Sequence, residues 1–128
     1  LSWCITLSSL NIYNLPETLD AYYAGFTDFG LYLNLVHRPA HFNMSSLPEM
    51  VKTAVLQRLS EIPVNYEHAQ WQLPGIIGFL ENGTPCTPDE WLHFIKTVQT
   101  HDTYRQQDFY STFPEYGHVI KAYTDSIK

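Results

Sequence analysis

LSWCITLSSL (residues 1–10) opens the sequence as an apolar run of the β type, and a helix-start signal, NLPE (residues 14–17), follows it. The same order then recurs: LYLNLV (residues 31–36) is a second apolar run, and SLPE (residues 46–49) is a second helix start. Two strand–loop–helix units in tandem predict a parallel pair of strands joined by a helical crossover. We interpret a parallel pair that begins at residue 1 as part of a larger sheet.

The capping chemistry predicts where the first two helices begin. Asn14 and Ser46 are each followed three residues later by a glutamate, which is the spacing of a capping box. The first helix is expected over residues 15–24, since Gly25 ends it. The second is expected from Ser46 to about residue 62, with Pro63 as its stop and an apolar face at helical spacing. In the second strand, Tyr32 and Asn34 alternate with apolar residues, so one face of the sheet is more polar or borders a cavity.

Beyond Pro63 the sequence predicts helices only. Residues 67–79 favour a short helix broken at Pro74-Gly75. A third capping box, Thr87 with Glu90, begins a long helix that runs to about Tyr110. A final short helix is expected over residues 116–127. The predicted fold class is therefore α/β: two parallel strands with a crossover helix, the end of a partial βα barrel, in residues 1–62, followed by a mostly helical C-terminal region in residues 63–128. The two parts are expected to form a single compact unit.

Composition excludes several classes of function. The formal net charge is −6 and the seven lysine and arginine residues are dispersed along the sequence, which argues against a nucleic-acid partner. No apolar run approaches the ~20 residues that span a bilayer, so no membrane contact is expected. The first residues lack the basic flank and small-residue cleavage site of a signal peptide, which favours a cytoplasmic protein.

The cysteine and histidine residues do not form a metal motif. Cys4, inside a predicted strand, is expected to be a buried small hydrophobe, whereas Cys86 lies in a loop and could be exposed. Two cysteines do not make a CxxC site, and nothing in their spacing supports a disulfide between them. His37 and His41 are four residues apart, but Pro39 between them disfavours a helix, so no metal ligands are predicted.

A functional rim is predicted from the position of polar residues, because no nucleophile elbow, phosphate-binding loop or dinucleotide motif is present. In parallel α/β folds, ligands bind at the carboxyl ends of the strands. Here those ends are residues 8–11 (SSLN) and residues 36–38 (VHR), where polar groups gather. A solvated loop would have the same composition.

Several segments, in order, resemble the C-terminal half of twitch-domain radical S-adenosylmethionine proteins, a group abundant in phage and marine microbial sequences. Residues 5–16 (ITLSSLNIYNLP) are similar to the fifth barrel strand of that family and the start of its helix. Residues 32–36 (YLNLV), with Pro39 after them, are similar to the sixth strand and its exit. Leu47-Pro48 and the helix after it match a further block. Near the end, DTYRQQDF (residues 102–109) with FPE (residues 113–115) is similar to the C-terminal helix signature.

The resemblance implies a fragment of a metalloenzyme family. In such enzymes a [4Fe–4S] cluster, held by the cysteines of a CxxxCxxC loop, cleaves S-adenosylmethionine to a radical. That loop is absent, and Cys4 and Cys86 do not replace it, so this chain is expected to carry no cofactor and to be inactive alone, with the N-terminal barrel half as its missing partner. The strand ends would form the adenine side of the cofactor pocket. The implied cofactor-binding residues are Ser9, Asn11, Val36 and His37, which would act largely through backbone groups.

Two other classes of function stay open. One is a stand-alone α/β or helical interaction module that forms a homodimer through an exposed sheet edge, where unpaired N–H and C=O groups invite strand pairing. The other is a small-molecule binding protein that uses its many aromatic residues, which make up 15% of the sequence. That function would require a concave pocket.

Overall fold

Two short strands and six helices make up the fold of residues 2–128, the part of the chain that this computed structural model describes. In chain order the elements are β1 (Ser2–Leu7), α1 (Leu15–Gly25), β2 (Gly30–Leu35), α2 (Glu49–Leu59), α3 (Glu67–Asn82), α4 (Pro88–Arg105), α5 (Phe109–Thr112) and α6 (Pro114–Ser126). Three single 3-10 turns lie at Ile12–Asn14, Ala40–Phe42 and Met44–Ser46. Leu1, the first residue of the predicted apolar run, lies outside the described residues.

The strands pair in parallel across the crossover helix α1, which confirms the predicted α/β class. Ser2 lies opposite Gly30 and Leu7 lies opposite Leu35, so the two strands are in register over their full lengths. β1 ends three residues before the predicted Leu10, because the backbone turns at residues 8–11 and the Ser8 carbonyl accepts hydrogen bonds from the Asn11 and Ile12 N–H groups.

Only one face of this sheet is covered. Side chains alternate along each strand, and the inward set packs against the helices with Leu7 and Leu33 buried. The opposite face is exposed to solvent at three alternate cross-strand pairs: Ser2 with Gly30, Cys4 with Tyr32, and Thr6 with Asn34. The expected burial of Cys4 is therefore wrong. Cys4 lies two residues before Thr6, so both side chains are on the same, outward face of the strand. The polar second face that the sequence predicts is confirmed at Tyr32 and Asn34.

A continuous apolar core runs from the sheet through all the long helices. Leu7, Leu15 and Leu19 belong to the same cluster as Val51 in α2. That cluster continues through the C-terminal helices, whose fully buried members include Leu80, Trp91, Tyr116 and Ile120. The helical region from residue 63 onward thus shares its core with the strand–helix units.

Helix starts depart from the predicted capping boxes at two of three positions. Asn14 makes no side-chain capping bond, because the 3-10 turn before α1 already supplies the first backbone bonds, and its Oδ1 atom is buried without a partner. Ser46 lies before α2 in a 3-10 turn, where its hydroxyl donates to the Ala40 and Asn43 carbonyls. Thr87 alone forms the predicted box: its hydroxyl accepts from the Glu90 N–H, and Glu90 accepts from the Thr87 N–H.

Two further helix boundaries were predicted incorrectly. α3 is continuous through Pro74, because the proline ring is on the solvent side while Ala69, Leu73 and Ile76 bury the opposite face. α4 ends at Arg105 rather than near Tyr110. Gln106 adopts a left-handed conformation with φ 56°, and the Asp102 carboxylate accepts a hydrogen bond from the Phe109 N–H at 2.7 Å.

Candidate functional site: the strand ends and the adjoining pocket

Ser9, the first predicted cofactor-binding residue, is buried just after the carboxyl end of β1, where it bonds to two other segments of the chain. Its N–H donates to the Phe42 carbonyl at 2.9 Å, and its hydroxyl donates to the His41 carbonyl at 2.8 Å. Its own carbonyl accepts from the hydroxyl of Tyr116 at 2.5 Å. All three of its polar groups therefore have partners inside the protein, and only 1% of Ser9 is exposed. Ser9 fixes the position of the 40–42 turn.

Asn11, the second predicted residue, closes part of the outer edge of β1. The Val36 N–H donates to the Leu7 carbonyl. Because successive strand residues alternate the direction of their backbone groups, those of Thr6 and Ser8 then point away from β2. The Asn11 carboxamide donates to the Thr6 carbonyl at 2.8 Å and accepts from the Ser8 N–H at 2.7 Å. Its side chain thus makes the two bonds that a residue of a neighbouring strand would make.

Gln72 in α3 does the same at the outer edge of β2. Its carboxamide donates to the Leu31 carbonyl at 3.1 Å and accepts from the Leu33 N–H at 2.9 Å. Each outer edge of the two-stranded sheet therefore has one side-chain amide in place of a strand. On β1, Asn11 reaches only the last part of the strand, at Thr6 and Ser8, and does not cover the edge near Cys4. This arrangement limits the positions at which another strand could pair.

We expect Gln72→Met to reduce stability and to promote association. Methionine keeps the length of the side chain but removes both hydrogen bonds, which leaves the Leu31 carbonyl and the Leu33 N–H unpaired at a sheet edge. The expected loss is about 1–2 kcal/mol in the free energy of unfolding, measured by urea denaturation. Sedimentation velocity should show more dimer than in the wild type. Gln57→Met, at an exposed position of α2, is the control; equal behaviour of the two variants would contradict the role assigned to Gln72.

Val36 and His37 lie where β2 ends. Val36 is half-buried and is held by its N–H bond to the Leu7 carbonyl. His37 is exposed, with its ring 5.2 Å from the Phe79 ring in an edge-to-face contact and its carbonyl accepting from the Asn43 amide. The imidazole itself makes no hydrogen bond within residues 2–128. The predicted rim thus consists of two anchored backbone segments and one free imidazole, and cofactor binding by these residues stays a prediction.

A pocket of about 410 Å³ adjoins this rim, between residues 40–47 and the first two turns of α4. Its floor is apolar and includes Leu47, Trp91 and Phe94, each less than 5% exposed. Its polar lining residues are His41, Ser46, Asp89, Glu90 and His93, and Ala40 and Cys86 complete the wall. The size lies within the range of ~300–1,000 Å³ that is usual for ligand pockets, and an apolar floor with few polar groups is their usual lining.

Behind the Ser46 and Cys86 side of the pocket, two backbone segments pack very closely against each other. Gly83, just after α3, packs so tightly on Ser45 that an added Cβ would lie 2.3 Å from the Ser45 carbonyl oxygen. Nearby, the Cys86 N–H donates to the Ser46 carbonyl at 2.8 Å, and Lys52 donates from Nζ to the Gly83 carbonyl at 2.8 Å. The Lys52 side chain is buried in α2, and this burial lowers the pKa of its ammonium group.

The electrostatics of the pocket are set by two carboxylates at its mouth. The Asp89 carboxylate makes no hydrogen bond or ion pair within residues 2–128. Hydrogen bonding to the backbone N–H of Thr87, and to its side chain, lowers the pKa of Glu90. No lysine or arginine lines the pocket. Burial raises the pKa of the Cys86 thiol, so the thiol is neutral at physiological pH. The pocket therefore presents negative charge over an aromatic and aliphatic floor.

The described residues do not form a metal centre. Within residues 2–128, no three histidine, cysteine, aspartate or glutamate side chains are close enough together to hold a metal ion. None of the helices in this part of the chain has the length and apolar character needed to cross a bilayer. The two cysteines lie in different parts of the structure: Cys4 is on the uncovered sheet face, and Cys86 is in the pocket wall.

Sequence reasoning located the strand ends but missed the pocket beside them. The aromatic residues of α4 were expected only as a helix face, and no local pattern indicates that residues 40–47 fold over that face. The one available signal was the capping box at Thr87, which fixes the start of α4 and hence the positions of Asp89 and Glu90. In comparisons with known proteins, no protein-family model, no curated protein and no solved structure matches this chain.

Proposed function

We propose that this chain is the closing portion of a partial βα barrel of the radical S-adenosylmethionine class, inactive alone and completed by a cluster-bearing portion. The observation that supports this proposal is the uncovered face of the parallel pair. Purely parallel sheets occur almost only where both faces are covered. In a barrel, helices cover the outer face, and side chains from the other strands fill the interior against the inner face. Here helices cover one face, while the other face is exposed from Ser2 to Thr6 and from Gly30 to Asn34.

The chemistry of that face is compatible with the interior of a barrel. Thr6, Tyr32 and Asn34 offer hydroxyl and amide groups, and Cys4 is small. A free surface of a soluble domain would more often present charged residues, and none of the six exposed positions is charged. Asn11 and Gln72 each cover only one position of an outer edge, on β1 and β2 respectively, so a further strand could still pair along the remainder of either edge.

The residues present do not fit an iron–sulfur cluster. Such a cluster is held by several cysteine thiolates, whereas the sequence has two cysteines, Cys4 and Cys86, which lie in different places. The [4Fe–4S] cluster of the proposed class would therefore be held by the other portion. For S-adenosylmethionine, Asn11, Val36 and His37 would contribute at the strand ends, and Ser9 would hold the adjacent turn. We place the assembled protein in the cytoplasm.

The proposal is tested first on this chain and then on its genetic context. The purified chain is expected to contain no iron and to show no reductive cleavage of S-adenosylmethionine. The DNA upstream is expected to encode, in frame or adjacent, a segment with CxxxCxxC. Co-expression of that segment should give a 1:1 complex that cleaves the cofactor. Cleavage by this chain alone, or upstream DNA without such a segment, would overturn the proposal.

A surface variant makes the test specific for the uncovered face. Tyr32→Lys places a charge in the middle of that face and should abolish the complex without unfolding the chain, because Tyr32 is 55% exposed. Tyr104→Lys, at a position 91% exposed on α4, is the matched control and should bind as the wild type does. Equal binding by both variants would show that the uncovered face is not the contact.

The same face supports a second candidate function, self-association of two copies. Face-to-face pairing would cover Tyr32 and Cys4 without requiring the edge positions that Asn11 and Gln72 occupy. Sedimentation velocity distinguishes the two candidates, because only self-association predicts a dimer of the isolated chain that Tyr32→Lys removes. A chain that is monomeric at high concentration would contradict this second candidate.

A further inference from the structure

We propose that the pocket between residues 40–47 and α4 binds a small organic cation that carries a planar aromatic ring. This site lies outside the strand-end rim and does not depend on the barrel proposal. The ring would lie above the buried floor of Leu47, Trp91 and Phe94, against the half-buried His41 ring. The cationic group would face the carboxylates of Asp89 and Glu90 at the mouth.

The floor is suited to a flat ring. Trp91 and Phe94 lie with their ring centres 5.5 Å apart and tilted by 53°, and the His41 ring lies 5.6 Å from that of Phe94. The Trp91 ring is held rigidly, because its Nε1–H donates to the Thr124 hydroxyl at 2.9 Å inside the core. Because Trp91 and Phe94 are less than 5% exposed, they support the pocket from below, and the half-buried His41 ring on top of Phe94 is the one that offers stacked or edge-to-face contacts to a ligand ring.

The polar groups of the pocket are free to bind a ligand. The Asp89 carboxylate and the imidazoles of His41 and His93 make no hydrogen bond with any side chain or backbone group of residues 2–128. By contrast, the Ser46 hydroxyl already uses its donor on the Ala40 and Asn43 carbonyls. Free polar groups that converge on an apolar cavity are the usual determinants of ligand orientation.

Charge selects the class of ligand. Two carboxylates and no lysine or arginine line the pocket, and the chain as a whole has thirteen acidic residues against seven basic ones. The N-terminus of α4 contributes only about half a positive charge, and the carboxylates of Asp89 and Glu90 outweigh it. An anionic ligand would meet repulsion at the mouth, whereas an ammonium group would donate a charge-assisted hydrogen bond to the Asp89 carboxylate.

Three indole compounds of similar shape test this inference: tryptamine, a cation; tryptophol, which is neutral; and indole-3-propionate, an anion. Titrations followed by ¹H–¹⁵N NMR should shift the amides of residues 40–47 and 89–94. Tryptamine should bind roughly tenfold more tightly than indole-3-propionate, with tryptophol between them, and its affinity should fall as salt is added. Absence of shifts in the pocket, or equal affinity for the cation and the anion, would overturn the proposal.

A matched pair of variants isolates the role of Asp89. Asp89→Asn should weaken tryptamine about three- to fivefold, as expected for an exposed charge pair, and leave tryptophol unchanged. Asp28→Asn, which removes an exposed carboxylate from the turn before β2, should change neither affinity. A loss of tryptophol binding equal to the loss of tryptamine binding would show that Asp89 shapes the pocket rather than recognising charge, and would overturn the assignment.

Discussion

Gly83→Ala should lower the free energy of unfolding by about 3 kcal/mol, toward the upper end of what overpacking costs. The added Cβ would lie 2.3 Å from both the carbonyl oxygen and the Cβ atom of Ser45. Because one of these atoms belongs to the backbone, a change of side-chain rotamer does not relieve the clash. The two segments must separate, which disturbs the Lys52 bond to Gly83 and the Cys86 bond to Ser46.

Thermal and urea unfolding followed by circular dichroism measure this loss, which should lower the melting temperature by roughly 10 °C. Gly75→Ala is the matched control. An added Cβ there meets nothing within 4 Å, and alanine favours the interior of α3 by up to ~1 kcal/mol over glycine. The control should therefore be as stable as the wild type or more stable. A Gly83→Ala protein within 0.5 kcal/mol of the wild type, on the scale usual for surface substitutions, would contradict the close approach.

Tyr116→Phe should cost about 2 kcal/mol, because a single hydroxyl joins the last helix to the end of the first strand. The Tyr116 ring is fully buried and stacks on Tyr13, with ring centres 4.9 Å apart and planes only 2° from parallel. Phenylalanine keeps this stack but leaves the Ser9 carbonyl buried without a partner. Tyr104→Phe, at a position 91% exposed, should be neutral and is the control.

The pH dependence of the same variant provides a second measurement. Burial raises the pKa of the Tyr116 phenol above its ordinary value near 10. The folded state therefore favours the neutral phenol, and this contribution to stability is present below about pH 10 and is lost as the pH rises further. The difference in stability between wild type and Tyr116→Phe should shrink between pH 10 and pH 11. A difference that is constant over this range would show that the phenol is not buried as described.

The predictable part of this fold is the part with local causes. The two strands and the crossover helix follow from apolar runs and turn residues near them in the sequence. The start of α4 follows from Thr87 and Glu90, which lie three residues apart and satisfy each other's backbone groups. The capping box does not form at Asn14 or Ser46, each of which is the last residue of a 3-10 turn. The Asn14 side chain makes no capping bond, and the Ser46 hydroxyl donates to a carbonyl within its own turn region.

The candidate site depends on partners that are remote in sequence. Gln72 reaches backbone groups 39 and 41 residues away, and Lys52 reaches a carbonyl 31 residues away. No periodicity marks such residues, because each looks like an ordinary polar position on a helix. The exposure of Cys4 was missed for a different reason. Cys4 alternates with Trp3 and Ile5, as an outward residue of a strand covered on one face does, but free cysteine is usually buried and was therefore assigned to the core.

The bond from Tyr116 to Ser9 spans 107 residues, and this span has a consequence for biosynthesis. At translation rates of ~5–20 residues per second, the ribosome needs roughly 5–20 s to make the intervening chain. Throughout that interval the nascent polypeptide has an incomplete tertiary structure at its first strand, with a carbonyl that only the last helix can satisfy. Folding of this part of the protein can therefore be completed only after Tyr116 has left the ribosome, and a chaperone that binds early apolar segments has that interval in which to act.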